Sequence, residues 1–110
     1  MYWKINNDTT YQKQIEQENY WMIQKIGANC RYLRKKRKLS RTKVIEQLYS
    51  TYGLKLHLNT LIKIECSRTS NIELKTIAKL ALILGTYPNS LMFDSLEYID
   101  NRGFQSVTFS

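Results

Sequence analysis

The stretch that decides the fold runs from residue 39 to residue 66 and reads LSRTKVIEQLYSTYGLKLHLNTLIKIEC. It opens on Leu39 and Ser40, and serine is a residue type whose hydroxyl commonly caps the N-terminus of a helix. Apolar residues then recur at helical spacing in two places, at Val44, Ile45 and Leu48 and again at Leu61 and Ile64. This periodicity predicts one helix over residues 40–48 and a second over residues 58–66, separated by a turn or a longer connection.

Helical spacing also precedes this stretch. Ile26, Cys30 and Leu33 fall on one side of a helix, while basic residues occupy its other sides. A more interrupted apolar pattern over residues 10–24 predicts a further amphipathic helix. That helix either runs into the next one or breaks near Gly27.

Three more signals follow the stretch. Residues 70–73 read SNIE, the spacing of a capping box, and predict a helix over residues 72–84 that is apolar on most sides and deeply buried. Gly85 is expected to end that helix, and Pro88 suits the first turn of a last short helix. The polar tail over residues 101–110 is expected to be a strand or disordered.

These elements together predict an all-α fold of five short helices. The chain has one proline and four glycines in 110 residues, which favours helices joined by brief loops. We expect residues 25–93 to form the domain. Residues 1–24 would then be an N-terminal arm or helix that could serve dimerisation, and residues 94–110 a C-terminal tail.

Positive charge is concentrated in the middle of the chain. The sequence holds 17 Lys and Arg against nine Asp and Glu, a formal net charge of +8. By segment, residues 1–24 carry −1, residues 25–68 carry +10 and residues 69–110 carry −1. Like charges at this density repel one another unless a partner neutralises them, so nucleic acid, a membrane surface or an acidic protein is the expected partner. For the run over residues 34–38 alone, a solvated face is the alternative.

Several functional classes lack support in the sequence. The apolar run over residues 77–84 contains Lys79 and is far shorter than the roughly 20 residues that span a bilayer. Two cysteines and one histidine are too few for a structural zinc site without carboxylates, so we expect no metal, no cofactor and reduced thiols in a cytoplasmic protein, with Cys30 in the core. No carboxylates paired at a useful spacing, Gly-rich phosphate loop or nucleophile motif is present, which makes an enzyme the weakest hypothesis.

A series of short landmarks recurs along the middle of the chain. They are Ile26-Gly27, Arg31, Leu33-Arg34, Leu39-Ser40, Val44, Leu48, Leu61, Ile64-Glu65, Leu80-Ala81, Leu84-Gly85 and Leu91. In this order they resemble the lambda-repressor-like, Cro/C1-type (XRE) helix-turn-helix domains of phage and bacterial regulators, over residues 26–93. The combination of Leu-Ser, Ile-Glu and Leu-Gly is the most specific part of the resemblance.

The resemblance implies how such a domain would meet DNA. The helix over residues 40–48 would cross the backbone, and the helix over residues 58–66 would be the recognition helix in the major groove. Base contacts are implied for Leu58, Asn59, Thr60 and Lys63. Phosphate contacts are implied for Arg41, His57 and Arg68, with Lys35 and Lys38 as additions. The side chains suit these roles, since asparagine can pair with adenine and lysine can donate to guanine.

The resemblance also implies a structural ion pair between Arg34 and Glu65, joining the first domain helix to the recognition helix. Three departures stand against the family pattern. The connection over residues 49–58 is about ten residues long, where a turn of 3–4 is usual. Ile45 stands where the family has a small residue, and Ser67 where it has glycine.

The favoured interpretation is a cytoplasmic, nucleoid-associated, sequence-specific transcriptional regulator. We expect a repressor that binds a palindromic operator in double-stranded DNA as a homodimer, because one recognition helix reads only a few base pairs. An antitoxin or an adaptor with the same fold, bound to a partner protein, is the alternative. The N-terminal aromatic residues are expected to pack on their own domain, and exposed ones would indicate a dimer or ligand surface. They are Tyr2, Trp3, Tyr20 and Trp21.

Overall fold

This computed structural model describes the backbone of residues 2–109 and the side chains of residues 10–102. The described part of the chain forms six helices and no strand. The helices are α1 (Tyr2–Lys36), α2 (Arg41–Tyr52), α3 (Leu58–Glu65), α4 (Leu74–Leu84), α5 (Pro88–Phe93) and α6 (Leu96–Phe109). The predicted all-helical class is therefore confirmed. None of these helices combines the length and the apolar character needed to cross a bilayer.

The hydrophobic core lies where the first five helices meet. Its twelve buried apolar side chains are Ile26, Cys30, Leu33, Val44, Leu48, Leu61, Ile64, Ile77, Leu80, Ala81, Leu84 and Leu91. The largest share comes from α4, which agrees with the predicted depth of that helix. The prediction that Cys30 is a core residue is confirmed. Burial, helped by the nearby carboxylate of Glu65, raises the pKa of the Cys30 thiol to about 12.

α1 is one uninterrupted helix of 35 residues. Of the two alternatives near Gly27, continuation is the correct one, and the expected boundary after residue 24 lies inside the helix. Gly27 marks the point where α1 crosses the C-terminal end of α3. A Cβ added there would overlap the carbonyl oxygen of Ile64 and lie 2.9 Å from the Ser67 hydroxyl oxygen. The glycine therefore permits close helix packing and does not interrupt the helix.

α2 begins as predicted and ends later. The hydroxyl of Ser40 accepts a hydrogen bond from the Lys43 backbone N–H at 3.0 Å, so the expected N-cap is confirmed. The expected end at Leu48 is wrong, because α2 continues to Tyr52. It ends where Gly53 adopts φ +67°, a left-handed conformation that glycine enters without strain. The connection to α3 therefore spans five residues, 53–57, and the predicted length of about ten was an overestimate.

α4 begins two residues later than predicted. The expected capping box over residues 70–73 does not form, since Glu73 occupies the N-cap position and makes no side-chain cap bond. Upstream, the Thr69 hydroxyl and the Asn71 backbone bond to each other in a local turn that competes with helix. The predicted roles of Gly85, with φ +80°, and of Pro88 at the start of α5 are confirmed.

The C-terminal segment is helical. The expectation of a strand or disorder over residues 101–110 is wrong as far as Phe109, because α6 covers that backbone. The buried side-chain amide of Asn29 donates to the carbonyls of Leu91 and Asp94 at 2.8 and 2.7 Å. The side-chain oxygen of Asn29 accepts a bond of 3.2 Å from the Leu96 N–H. These polar contacts, which apolar periodicity does not reveal, attach the start of α6 to α1.

A second polar contact holds α6 further along. The Lys36 ammonium lies 2.8 Å from one Asp100 carboxylate oxygen, and the Tyr32 hydroxyl donates to the same oxygen at 2.6 Å. The hydrogen bond from Lys36, and to a smaller extent the one from Tyr32, holds the pKa of Asp100 below its ordinary value. One cation of the predicted basic segment is thereby paired with a carboxylate at the surface.

Candidate nucleic-acid interface

A buried ion-pair network fixes the position of α3 against α1 and α2. The Glu65 carboxylate accepts from Arg34 Nε at 2.7 Å and from a terminal nitrogen of the same guanidinium at 3.0 Å. Arg41 Nε donates to the same carboxylate at 3.1 Å, and Arg34 also donates to the Leu39 carbonyl at 2.9 Å. The Glu65 side chain is 1% exposed. One carboxylate thus joins three helices.

α3 has a buried side and an exposed side. Leu61, Ile64 and Glu65 are buried, whereas Asn59, Thr60 and Lys63 are exposed, and so is Leu58 at 44%. Within the described part of the chain, the side chains of Asn59, Thr60 and Lys63 have no hydrogen-bond or ion-pair partner. The four residues to which the resemblance assigns base contacts therefore lie on the accessible side of one short helix.

The residues expected to contact phosphate lie in different surroundings. His57 is the exposed N-cap of α3 and makes no side-chain cap bond, and Arg68 is exposed just after that helix. Lys35 and Lys38 are exposed at the end of α1 and in the loop that follows it. Arg41 is different, because its guanidinium bonds to Glu65 and its side chain is only one-third exposed.

The corner after α3 keeps the conformation for which glycine is usual. Ser67 has φ +58°, in the left-handed region, and its N–H donates to the Ile64 carbonyl at 3.1 Å. The Arg68 N–H donates to the Lys63 carbonyl at 2.9 Å. Ser67 therefore bears the strain of a left-handed conformation that glycine would adopt without cost.

The side chains of the connection between α2 and α3 alternate in exposure. Leu54 and Leu56 are partly buried and pack against the core, whereas Lys55 and His57 are exposed. The Lys55 ammonium lies 5.8 Å from the centre of the Tyr49 ring, which is within cation–π distance. Sequence reasoning did not select Lys55 or Tyr49. The alternation LKLHL over residues 54–58 is the signal that could have identified Lys55.

Much of the positive charge in residues 25–68 remains unpaired by carboxylates. Four of the twelve Lys and Arg in this segment form ion pairs, namely Arg34, Lys36, Arg41 and Lys43. Among the described residues, the other eight have no carboxylate partner; they are Lys25, Arg31, Lys35, Arg37, Lys38, Lys55, Lys63 and Arg68. The described residues also contain no cluster of three or more His, Cys, Asp or Glu that could hold a metal ion.

Comparison of the chain with protein-family models, with curated proteins and with solved structures finds no match.

Proposed function

We propose that the protein is a sequence-specific DNA-binding transcriptional regulator with a lambda-repressor-like helix-turn-helix domain. The observation that carries the proposal is the two-sided character of α3. Its apolar side is anchored in the core, and its exposed side offers an amide, a hydroxyl and an ammonium that have no partner among the described residues. Unpaired donors and acceptors on an accessible helix suit the base edges of a major groove, which is wide enough to admit an α-helix.

The proposal gives each element a role. α3 enters the major groove, where Asn59 pairs with adenine, Lys63 donates to guanine, and Leu58 and Thr60 complete the base contacts. α2 crosses the backbone. The phosphate contacts come from His57, Arg68, Lys35 and Lys38. Arg41 contacts phosphate only through the part of its guanidinium that Glu65 leaves free.

The proposal includes a homodimer that represses from a palindromic operator. Two half-sites about 34–36 Å apart would match a two-fold axis between the chains. Exposed aromatic side chains support self-association. Tyr20 and Trp21 on α1 are each 56% exposed, which contradicts the expectation that they pack on their own domain, and Tyr98 on α6 is 60% exposed. The side chains of Tyr2 and Trp3 lie outside the described residues.

The test is an in vitro selection of bound duplexes from a random library at ~150 mM salt, where the non-specific phosphate contribution is weak. The wild-type chain should recover a motif with two related half-sites. Lys63→Ala should relax the preference at a defined base position, since a good base contact discriminates by ~1–3 kcal/mol. Failure of the wild-type chain to prefer any sequence over bulk DNA would refute the regulator proposal. An unchanged motif with Lys63→Ala would refute only the assignment of Lys63.

The second candidate is an antitoxin or adaptor that uses the same fold to bind a protein. A groove of about 650 Å³ between α1 and α6 favours it. Trp21 and Tyr98 line this groove together with Leu96 and Lys25, so an apolar side chain from a partner would find aromatic walls. Co-purification with the product of a neighbouring gene, abolished by Trp21→Ala and unaffected by Lys63→Ala, would favour this candidate over the regulator.

A further inference from the structure

The connection between α2 and α3 is anchored at the end of α2 by backbone bonds and on the core by two leucines. The Gly53 cap ends α2 with its N–H bonded to the carbonyls of Leu48 and Tyr49, and the Leu54 N–H also donates to the Leu48 carbonyl at 3.3 Å. Leu54 and Leu56 then pack on the core. The residues between and after these leucines, Lys55 and His57, are exposed on the other side of the connection.

The outward side of the connection carries a supported cation. Lys55 and His57 are exposed two residues apart. The Tyr49 ring, 56% exposed on the last turns of α2, lies beneath the Lys55 ammonium at 5.8 Å. An aromatic ring in this position attracts the ammonium and leaves its N–H donors free. The Lys55 ammonium therefore lies over the Tyr49 ring and stays accessible to an anion.

This cation lies next to the exposed start of α3 and is not neutralised. Glu46 is the only carboxylate between residues 40 and 64, and its nearest cation is Lys43 at 3.9 Å. Among the described residues Lys55 has no carboxylate partner. The exposed side chains of Leu58, Asn59 and Thr60 follow directly after His57. The connection thus extends the accessible surface of α3 with a positive charge.

We propose that Lys55, supported by Tyr49, contacts a phosphate of the bound duplex beside the bases that α3 reads. The inference rests on the proposed function and deepens it. The connection over residues 53–57 then supplies a contact that orients α3 in the groove. A phosphate contact positions the protein and carries no base preference, so Lys55 should contribute affinity and salt dependence without changing the recognised sequence.

The experiment measures the affinity of the full chain for two duplexes between 50 and 200 mM KCl by fluorescence anisotropy. One duplex is recovered by selection with the wild-type chain, and the other is a random-sequence duplex of about the same length. The variants are Lys55→Gln and Lys55→Arg. Arg102→Gln is the matched control, because Arg102 also lies over a tyrosine ring, that of Tyr98 at 5.5 Å, but on α6.

One lost phosphate contact changes the slope of log K against log[salt] by about 0.9. Lys55→Gln should therefore show a less steep slope on both duplexes. Its loss of affinity relative to wild type should be about 3–4 times greater at 50 mM than at 200 mM KCl, as that slope implies over a fourfold change of salt. Lys55→Arg should retain the wild-type slope, Arg102→Gln should match wild type, and the selected motif should be unchanged.

Two results would overturn the inference while leaving the proposed function intact. One is a Lys55→Gln slope equal to that of wild type. The other is an equal change in Lys55→Gln and Arg102→Gln, which would mean that only the total charge matters. A wild-type chain that binds neither duplex would refute the proposed function, and the inference with it. Circular dichroism of each variant confirms folding, which the exposure of Lys55 leads us to expect.

Discussion

Replacing Glu65 should destabilise the fold far more than replacing any exposed carboxylate. Glu65→Gln keeps the shape of the side chain, so it creates no cavity, but it removes the charge that two guanidinium groups share. Three charge-assisted bonds, of 2.7, 3.0 and 3.1 Å, lose their anionic acceptor. The Arg34 side chain is 11% exposed and cannot regain its hydration, whereas Arg41 is one-third exposed and can.

The magnitude follows from that difference between the two arginines. Removing one partner of a buried pair costs about 3–5 kcal/mol, because the remaining charge is buried without compensation. Re-solvation of Arg41 adds little, since exposed pairs contribute at most about 1 kcal/mol. We therefore expect a loss of about 4 kcal/mol. For a chain of this size that loss would lower Tm by about 15–30 °C.

Urea titration followed by circular dichroism measures the loss, with two further variants for comparison. Glu73→Gln is the control, because the Glu73 carboxylate is 70% exposed and lies 3.5 Å from Lys75; its free energy of unfolding should stay within about 0.5 kcal/mol of wild type. The double replacement Arg34→Met with Glu65→Leu should recover most of the loss, since no uncompensated charge remains. A Glu65→Gln chain as stable as the Glu73→Gln control would refute this account of the network.

Two other changes should alter stability by distinct mechanisms. Gly27→Ala gains about 1 kcal/mol of helix propensity, but its new Cβ overlaps the backbone carbonyl of Ile64. Because overpacking should outweigh the gain in propensity, urea titration should find a net loss of about 2 kcal/mol in the free energy of unfolding. No loss would mean that the crossing of α1 and α3 separates freely. Alkaline pH should destabilise the wild-type chain through Cys30, whose pKa is raised from 9.0 to about 12. Because the thiol ionises at lower pH in the unfolded chain than in the folded one, its contribution to the free energy of unfolding is fully present below pH 9. That contribution is lost as the pH rises toward 12, by up to about 4 kcal/mol. Unfolding measured at pH 8 and 10.5 tests this, and a Cys30→Ala chain with the same pH dependence would contradict it.

The sequence allowed the central helices to be predicted because their signals are local. Ser40 caps α2, the apolar spacing of Leu61 and Ile64 defines α3, and Gly85 ends α4. Each signal acts through bonds or contacts within a few residues. The end of α2 was missed because YSTY over residues 49–52 has weak helix propensity, and the helix continues until Gly53 supplies a left-handed conformation.

The two ends of the chain were harder to predict because nothing local decides them. α1 continues through Glu18 and Asn19, although these residues interrupt its apolar stripe. The C-terminal half of α1 is packed on the core, and a helix that is already formed there can extend by further turns without an apolar pattern. α6 is attached by Asn29 and by the contact of Lys36 with Asp100, and the partners are more than 60 residues apart. Polar contacts over such a separation leave no periodic signal. Lys55 is a different case, because its signal is local: the alternation LKLHL over residues 54–58 marks it, and the Tyr49 ring below it is only six residues earlier in the chain.

The arrangement of charge in the fold corrects what the net charge of the sequence suggests about binding. A segment of +10 would suggest about ten phosphate contacts, but Arg34 and Arg41 are occupied with Glu65, and Lys36 with Asp100. Among the described residues, the proposed phosphate ligands with free positive charge are Lys35, Lys38, Lys55 and Arg68. At about 0.9 per contact, these four ligands contribute about −3.6 to the salt slope of each chain. Arg34 and Arg41 hold α3 in place through Glu65, and the other cations give the surface its positive charge. The same basic segment therefore both positions α3 and makes the surface around it positive.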